Sequence, residues 1–182
     1  MTERLFVAVT VPSEVRARLD AALAGLRQRW PSLRWTRPEG WHLTLAFVGD
    51  CDEDRAREVS DAAAEAAAAV GPFEVALTGQ LGSFGRRVLW AGVAAPEGLV
   101  TLAERTRAGL AARGIDVDER PFSAHLTVAR APARGRLPHA RPRWQGPRSP
   151  WWVTDVRVMR SVPASGGPRY EARSAHPLGA GP

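Results

Sequence analysis

Two stretches of this chain set the same polar pair into strands that are otherwise apolar: "WHLTLAFVGD" at residues 41–50 and "FSAHLTVAR" at residues 122–130. Side chains two apart on a strand share a face, so His42 and Thr44 point one way and Leu43, Leu45 and Phe47 the other. His125 and Thr127 oppose Leu126 and Val128 in the same manner. Each pair offers an imidazole and a hydroxyl about 7 Å apart along one face, at a strand rise of about 3.3 Å per residue. Burying four such groups without partners costs about 1–3 kcal/mol each. A fold that sets the two strands side by side, with one ligand serving all four groups, avoids that cost.

The rest of the chain supplies the frame. "RLFVAVTV" is apolar on both faces and predicts a central strand covered on both sides. Val15, Leu19, Leu23 and Leu26 recur at helical spacing until Pro31, and an alanine-rich helix is expected from Asp52 to Val70. "LRWT" reads as a short strand, and "WHLTLAFVG" as a strand stopped by Gly49 and Asp50. "FEVALTGQLGSF" and "RVLWAGVA" predict antiparallel neighbours. Leu99, Leu102, Ala103, Thr106 and Leu110 outline a third helix closed by Gly114. Residues 131–150, dense in Pro, Arg and Gly, read as an exposed loop. "WWVTDVRVMRSV" and "RYEARSAHPL" read as a last pair of strands. The order β-α-β-β-α-β-β-α-β-β lacks the strict alternation of a doubly wound sheet, so an α+β fold is expected. The segment from the first strand to the second helix holds one HxT strand and the segment from "FEVALTGQ" onward holds the other, which suggests a single domain over residues 1–182 built of two similar, consecutive lobes.

No apolar run approaches the roughly 20 residues needed to span a bilayer, and the opening "MTERLFVAVTVP" lacks the order of a signal peptide. A soluble, cytoplasmic protein is expected. Cys51 is the single cysteine and is read as structural or incidental. All 25 cationic side chains are arginine, and the net charge is +6. Residues 1–129 hold 15 Arg against 17 acidic residues, whereas residues 130–182 hold 10 Arg against only Asp155 and Glu171. That local excess suits a phosphate-bearing partner such as nucleic acid, and a solvated arginine-rich loop is its bland alternative.

The four polar residues match what phosphodiester chemistry requires. A threonine hydroxyl donates to a phosphate oxygen, neutral imidazole accepts a proton from water, and imidazolium gives one to a leaving alkoxide. Neither His-Leu-Thr run contains Asp or Glu, which would repel a phosphate, and the nearest acidic residues, Glu39 and Asp50, are expected outside the strand. Two alternatives stand beside this. Each histidine on its own reads as a hydrogen-bonded core residue, and a metal site lacks a third ligand in either motif. His139 and His176 have no motif around them and read as surface or structural.

At these residues the chain resembles the 2H phosphoesterase superfamily, named for two HxTx motifs, and within it the RNA 2′,3′-cyclic phosphodiesterases, also called 2′-5′ RNA ligases. "HLTL" and "HLTV" carry the resemblance, with "RLFVAVTVP", "RVLWAGV" and "RYEARSAHPL" matching the family's other strands in order. The chain departs at Ala124, where the family often has proline, and at residues 131–150, where it commonly has a helix. The resemblance implies a bilobal α+β fold around a central cleft and hydrolysis of a terminal 2′,3′-cyclic phosphate on RNA to a 2′-phosphate, with no metal and no cofactor. Its reverse joins RNA ends. It implies His42 as general acid, His125 as general base, and Thr44 and Thr127 as holders of the non-bridging oxygens. Arg130 is the cation expected at the phosphate, although strict alternation places it opposite His125 and a bulge or the strand's end is needed to bring it round. Trp41, Phe84 and Trp90 are read as core packing, with base stacking the alternative. RNA with a cyclic phosphate end is the expected partner, no membrane is involved, and a monomer is expected because one chain supplies both motifs. The rival readings are a non-catalytic RNA-binding protein and a phosphodiesterase acting on a small cyclic phosphate, such as a cyclic nucleotide or an ADP-ribose cyclic phosphate.

Overall fold

The computed structural model describes residues 2–118, 120–138, 144–165 and 167–179. Its elements run β1 (Glu3–Thr10), α1 (Ser13–Arg29), β2 (Arg34–Trp35), a 3-10 turn (Pro38–Gly40), β3 (His42–Cys51) and α2 (Glu53–Ala68). They continue as β4 (Phe73–Phe84), β5 (Val88–Val93), α3 (Glu97–Ala112), β6 (His125–Arg130), β7 (Pro150–Val153), β8 (Asp155–Val162) and β9 (Arg169–Pro177). The architecture is α+β: two antiparallel sheets, ordered β3-β1-β8-β9 and β2-β6-β5-β4-β7, with three helices.

Local sequence explains most elements. Val15, Leu19, Leu23 and Leu26 form the buried stripe of α1, and Asp52 caps α2 by accepting from the Arg55 backbone N–H at 2.8 Å. The alanines of α2, with Val59, let that helix lie close against β8 and β9 and beside α3. β1 is central, as its two apolar faces predict. Leu5, Val7 and Val9 enter the main core, while Phe6 and Ala8 join Met159 and Tyr170 in a second cluster on the other face. Fully burying each of these larger side chains contributes about 1.5–3 kcal/mol.

Four expectations are corrected. The run 151–162 is not one strand: β7 ends at Val153 and β8 begins at Asp155, in different sheets. The buried positions Trp151 and Val153 give way to Val156 and Val158, so the alternation slips by one at Thr154 and the chain changes sheet there. The two lobes are also not consecutive halves. β2 borders the second sheet, whereas β8 and β9 complete the first. Third, β3 is not stopped at Gly49 and Asp50. Gly49 takes φ +97° beside the extra residue Val48, and pairing continues to Cys51. Last, the described parts of the Pro/Arg-rich stretch, residues 131–138 and 144–150, are anchored more firmly than an exposed loop. Leu137 and Ser149 are buried, and the Trp144 indole N–H donates to the Ala22 carbonyl at 3.1 Å.

Cys51 is a buried free thiol. His176 bonds to Ser60 and Ser174 at 3.2 and 3.0 Å, a structural role. His139 lies outside the described residues. Among the described residues no helix is long and apolar enough to cross a membrane.

Candidate active site

β3 and β6 come from different sheets and face each other across a cleft of about 430 Å³. The cleft is lined by all five residues singled out from the sequence, namely His42, Thr44, His125, Thr127 and Arg130. How Arg130 gets there is a matter of register. Leu89 pairs with Ala129 but Trp90 pairs with Thr127, leaving Val128 as an extra residue on β6. Such a bulge reverses the alternation beyond it. Val128 and Ala129 are both buried, and Arg130 emerges on the histidine's face.

The same device sits on β3. Ala8 pairs with Thr44 and Val7 with Ala46, so Leu45 is the extra residue. Leu45 and Ala46 are both buried, and Phe47, expected on the apolar face, instead lines the cleft at 46% exposure. Phe47 is therefore the counterpart on β3 of Arg130 on β6. Arg107 of α3 braces this bulge: its Nε donates to the Leu45 carbonyl at 3.1 Å and another guanidinium nitrogen to the Arg120 carbonyl at 2.8 Å.

Both imidazoles are held in one orientation by their own strand entry. His42 Nδ1 lies 2.7 Å from the Gly40 carbonyl and His125 Nδ1 2.7 Å from the Ser123 carbonyl. A carbonyl only accepts, so each Nδ1 carries the proton and each Nε2 is left to gain or lose one. The rings are also packed. Phe6 lies against His42 at 4.7 Å between centroids, with Tyr170 edge-on at 5.0 Å. Phe84 stands edge-on to His125 at 4.7 Å.

Burial pushes His42 down to about 4, reinforced by the charges of His125 and Arg130 and opposed by the Gly40 carbonyl. His125 is also lowered by burial, with the Ser123 carbonyl opposing and Arg130 adding to the effect. Both shifts favour the neutral imidazole. Farther along the wall, hydrogen bonds from Arg120 hold the Asp118 carboxyl down at about 2.

The three aromatic candidates divide. Trp41 is buried at 3% exposure and packs in the core. Trp90 is half-buried, and its ring occupies the space a Cβ on Gly82 would need, so only glycine fits there. Phe84, 40% exposed, lines the cleft and remains open to a base. Sequence reasoning missed Phe6, Phe47, Arg107, Ser123 and Tyr170. None stands in a motif, and only Phe47 had a signal, being five residues after its histidine as Arg130 is after His125. Among the described residues no three of His, Cys, Asp and Glu gather as metal ligands do.

Residues 9–90 match the family described as LigT like phosphoesterase. An RNA 2′,3′-cyclic phosphodiesterase of Thermus thermophilus is 33% identical over 177 residues, covering 92% of this chain and 86% of that protein. One from Geobacillus stearothermophilus is 30% identical over 194 residues, covering 95% of this chain; the chain spans 56% of that relative's length. The solved structure of Escherichia coli LigT complexed with 3′-AMP aligns with a TM-score of 0.83 at 26% identity, over 98% of this chain and 99% of that one.

Proposed function

This chain belongs to the LigT-like phosphoesterase family, and on that premise we propose that it hydrolyses the 2′,3′-cyclic phosphate at RNA ends to a 2′-phosphate. The observation that carries the reading is the pair of imidazoles, each with Nδ1 tied to a carbonyl and each on the wall of one cleft.

In the proposed step His125 Nε2 takes a proton from water as the water oxygen bonds to phosphorus. The bond from phosphorus to O3′ breaks, and His42 Nε2 gives its proton to that oxygen. The products are a 3′-hydroxyl and a 2′-phosphate. The Thr44 and Thr127 hydroxyls donate to the non-bridging oxygens, and Arg130 offsets the charge that grows there. Both proton transfers fall to the imidazoles, so no step is assigned to a metal ion. His42 starts neutral, because burial holds its pKa near 4. The anionic phosphate counters that burial and raises the pKa on binding, which loads the acid only when substrate is present. One chain supplies both strands, so the active unit is a monomer, working on cytoplasmic RNA. Run backward, the same transfers join a cyclic phosphate to a 5′-hydroxyl.

The test is an RNA oligomer ending in a 2′,3′-cyclic phosphate, incubated in EDTA with wild type, His42→Ala and His125→Ala. The expected product is the 2′-phosphate, and each variant loses about 10² or more in rate. A ring that stays closed while the RNA still binds identifies a binding protein and ends the proposal.

A further inference from the structure

The cleft opens into a second cavity of about 480 Å³, with which it shares Thr36, Gly40, Arg130 and Tyr170. Cavities of roughly 300–1,000 Å³ hold one compact ligand, so the cleft accommodates a terminal nucleotide and a longer strand must leave it on one side. The two sides differ in available charge. Beyond the cleft on one side the cations are already engaged: Arg107 bonds the Leu45 and Arg120 carbonyls, and Arg120 is paired with Asp118. On the other side stand Arg34, Arg37, Arg130 and Arg169, all exposed. Among the described residues none of these four makes an ion pair or a side-chain hydrogen bond. Among the described residues Glu39 is the one carboxylate on that cavity's wall.

We propose that this second groove is the track for the single-stranded RNA that precedes the terminal cyclic phosphate, with Arg34, Arg37 and Arg169 neutralising its backbone. The inference rests on the phosphodiesterase reading above. Arg34 and Arg130 are register partners on neighbouring strands, so the cation at the cleft continues directly into the groove. Trp35 adds an aromatic wall. Its indole N–H donates to the Trp30 carbonyl at 3.2 Å, which fixes the ring as a platform for a base. Three of the four arginines are thus assembled from β2 and the turn after it together with β9, which lie far apart in sequence. A competing basic cluster, Arg86, Arg87, Arg134 and Arg136, borders a shallow depression that shares no residue with the cleft.

The experiment compares kcat/KM on a 2′,3′-cyclic mononucleotide with that on an oligoribonucleotide carrying the same cyclic end. The proteins are wild type, the triple variant Arg34→Ala/Arg37→Ala/Arg169→Ala, and Arg134→Ala/Arg136→Ala. Wild type is expected to prefer the oligomer. The triple variant keeps mononucleotide turnover and loses about tenfold or more on the oligomer. Its plot of log kcat/KM against log salt flattens by about 0.7 for each phosphate contact removed. The inference is overturned if wild type shows no oligomer preference, if the triple variant loses both substrates equally, or if only the Arg134/Arg136 variant loses the preference. If wild type opens neither substrate, the phosphodiesterase reading itself has failed.

Discussion

The strands β3 and β6 are the same device built twice with opposite chemistry at the end. Each runs His-Leu-Thr, a bulged aliphatic residue, alanine, and then a side chain that the bulge turns back toward the cleft. On β6 that side chain is Arg130, and on β3 it is Phe47, which lies under the Arg4 guanidinium at 5.1 Å. The surroundings differ as well. His42 is flanked by Phe6 and Tyr170, whereas His125 meets Phe84 edge-on in a more open position. A duplicated scaffold thus fixes two identical tautomers, while unequal neighbours make the two imidazoles unequal in proton affinity. In the free protein that difference favours a proton on His125 over His42, so the proposed acid role of His42 depends on the bound phosphate raising its pKa.

The comparison breaks most visibly at its divergent position. Arg130→Ala is expected to lower kcat/KM on the cyclic end by about 10- to 100-fold, the size of a lost charge-assisted hydrogen bond to phosphate. Phe47→Ala should cost about threefold or less, as an exposed side chain that offers a phosphate no hydrogen bond and loses only its contact with the Arg4 guanidinium. Equal losses in steady-state assays would show that the bulge, and not the residue it presents, is what matters.

The second test concerns the proton. In NMR titrations of the free protein both histidines should protonate below 6.5, with His42 near 4 and His125 above it, since burial disfavours both charged forms and His42 is packed more tightly. The kcat/KM profile should be a bell centred below pH 6.5, and the kcat profile should lie at higher pH because bound phosphate favours imidazolium. Arg130→Met removes a positive neighbour and should move both values upward. A His42 that titrates above His125 would overturn the asymmetry.

The smallest effect is on stability. A histidine whose pKa is depressed by folding contributes stability in full above its unfolded value of 6.5, and loses it as pH falls toward the folded value near 4. Between pH 7.5 and pH 5.5 His42 should account for about 1 kcal/mol of destabilisation. His42→Asn, which keeps a donor for the Gly40 carbonyl, should show that much less pH dependence in urea unfolding. If the two proteins track each other across this window, His42 is not depressed by burial.

Much of this was legible beforehand because it follows from local periodicity. The helix stripes, the central strand β1 and the two HxT faces were read directly from period-2 and period-3.6 patterns, and the threonines and histidines line the cleft where those patterns put them. Arg130 was legible only as a requirement for a bulge. Phe47 was placed on the wrong face, since a one-residue register shift is decided by the partner strand's length and pairing, which β3 alone does not encode. The break at Thr154 had a local sign in its phase slip, but not the fact that it sends the chain from one sheet to the other.

By itself, then, the sequence determined which polar groups would stand together: alternation obliges His42 with Thr44, and His125 with Thr127, to share a face whatever surrounds them. The tertiary structure decided everything that depends on distant partners. It brought β3 and β6 to one cleft from two sheets and set Phe6 and Tyr170 against His42. It also joined Arg34 to Arg130 across 96 positions of chain. The physical reason is that alternation is a property of a strand's own backbone, whereas pKa, register and charge clustering are properties of what packs against it.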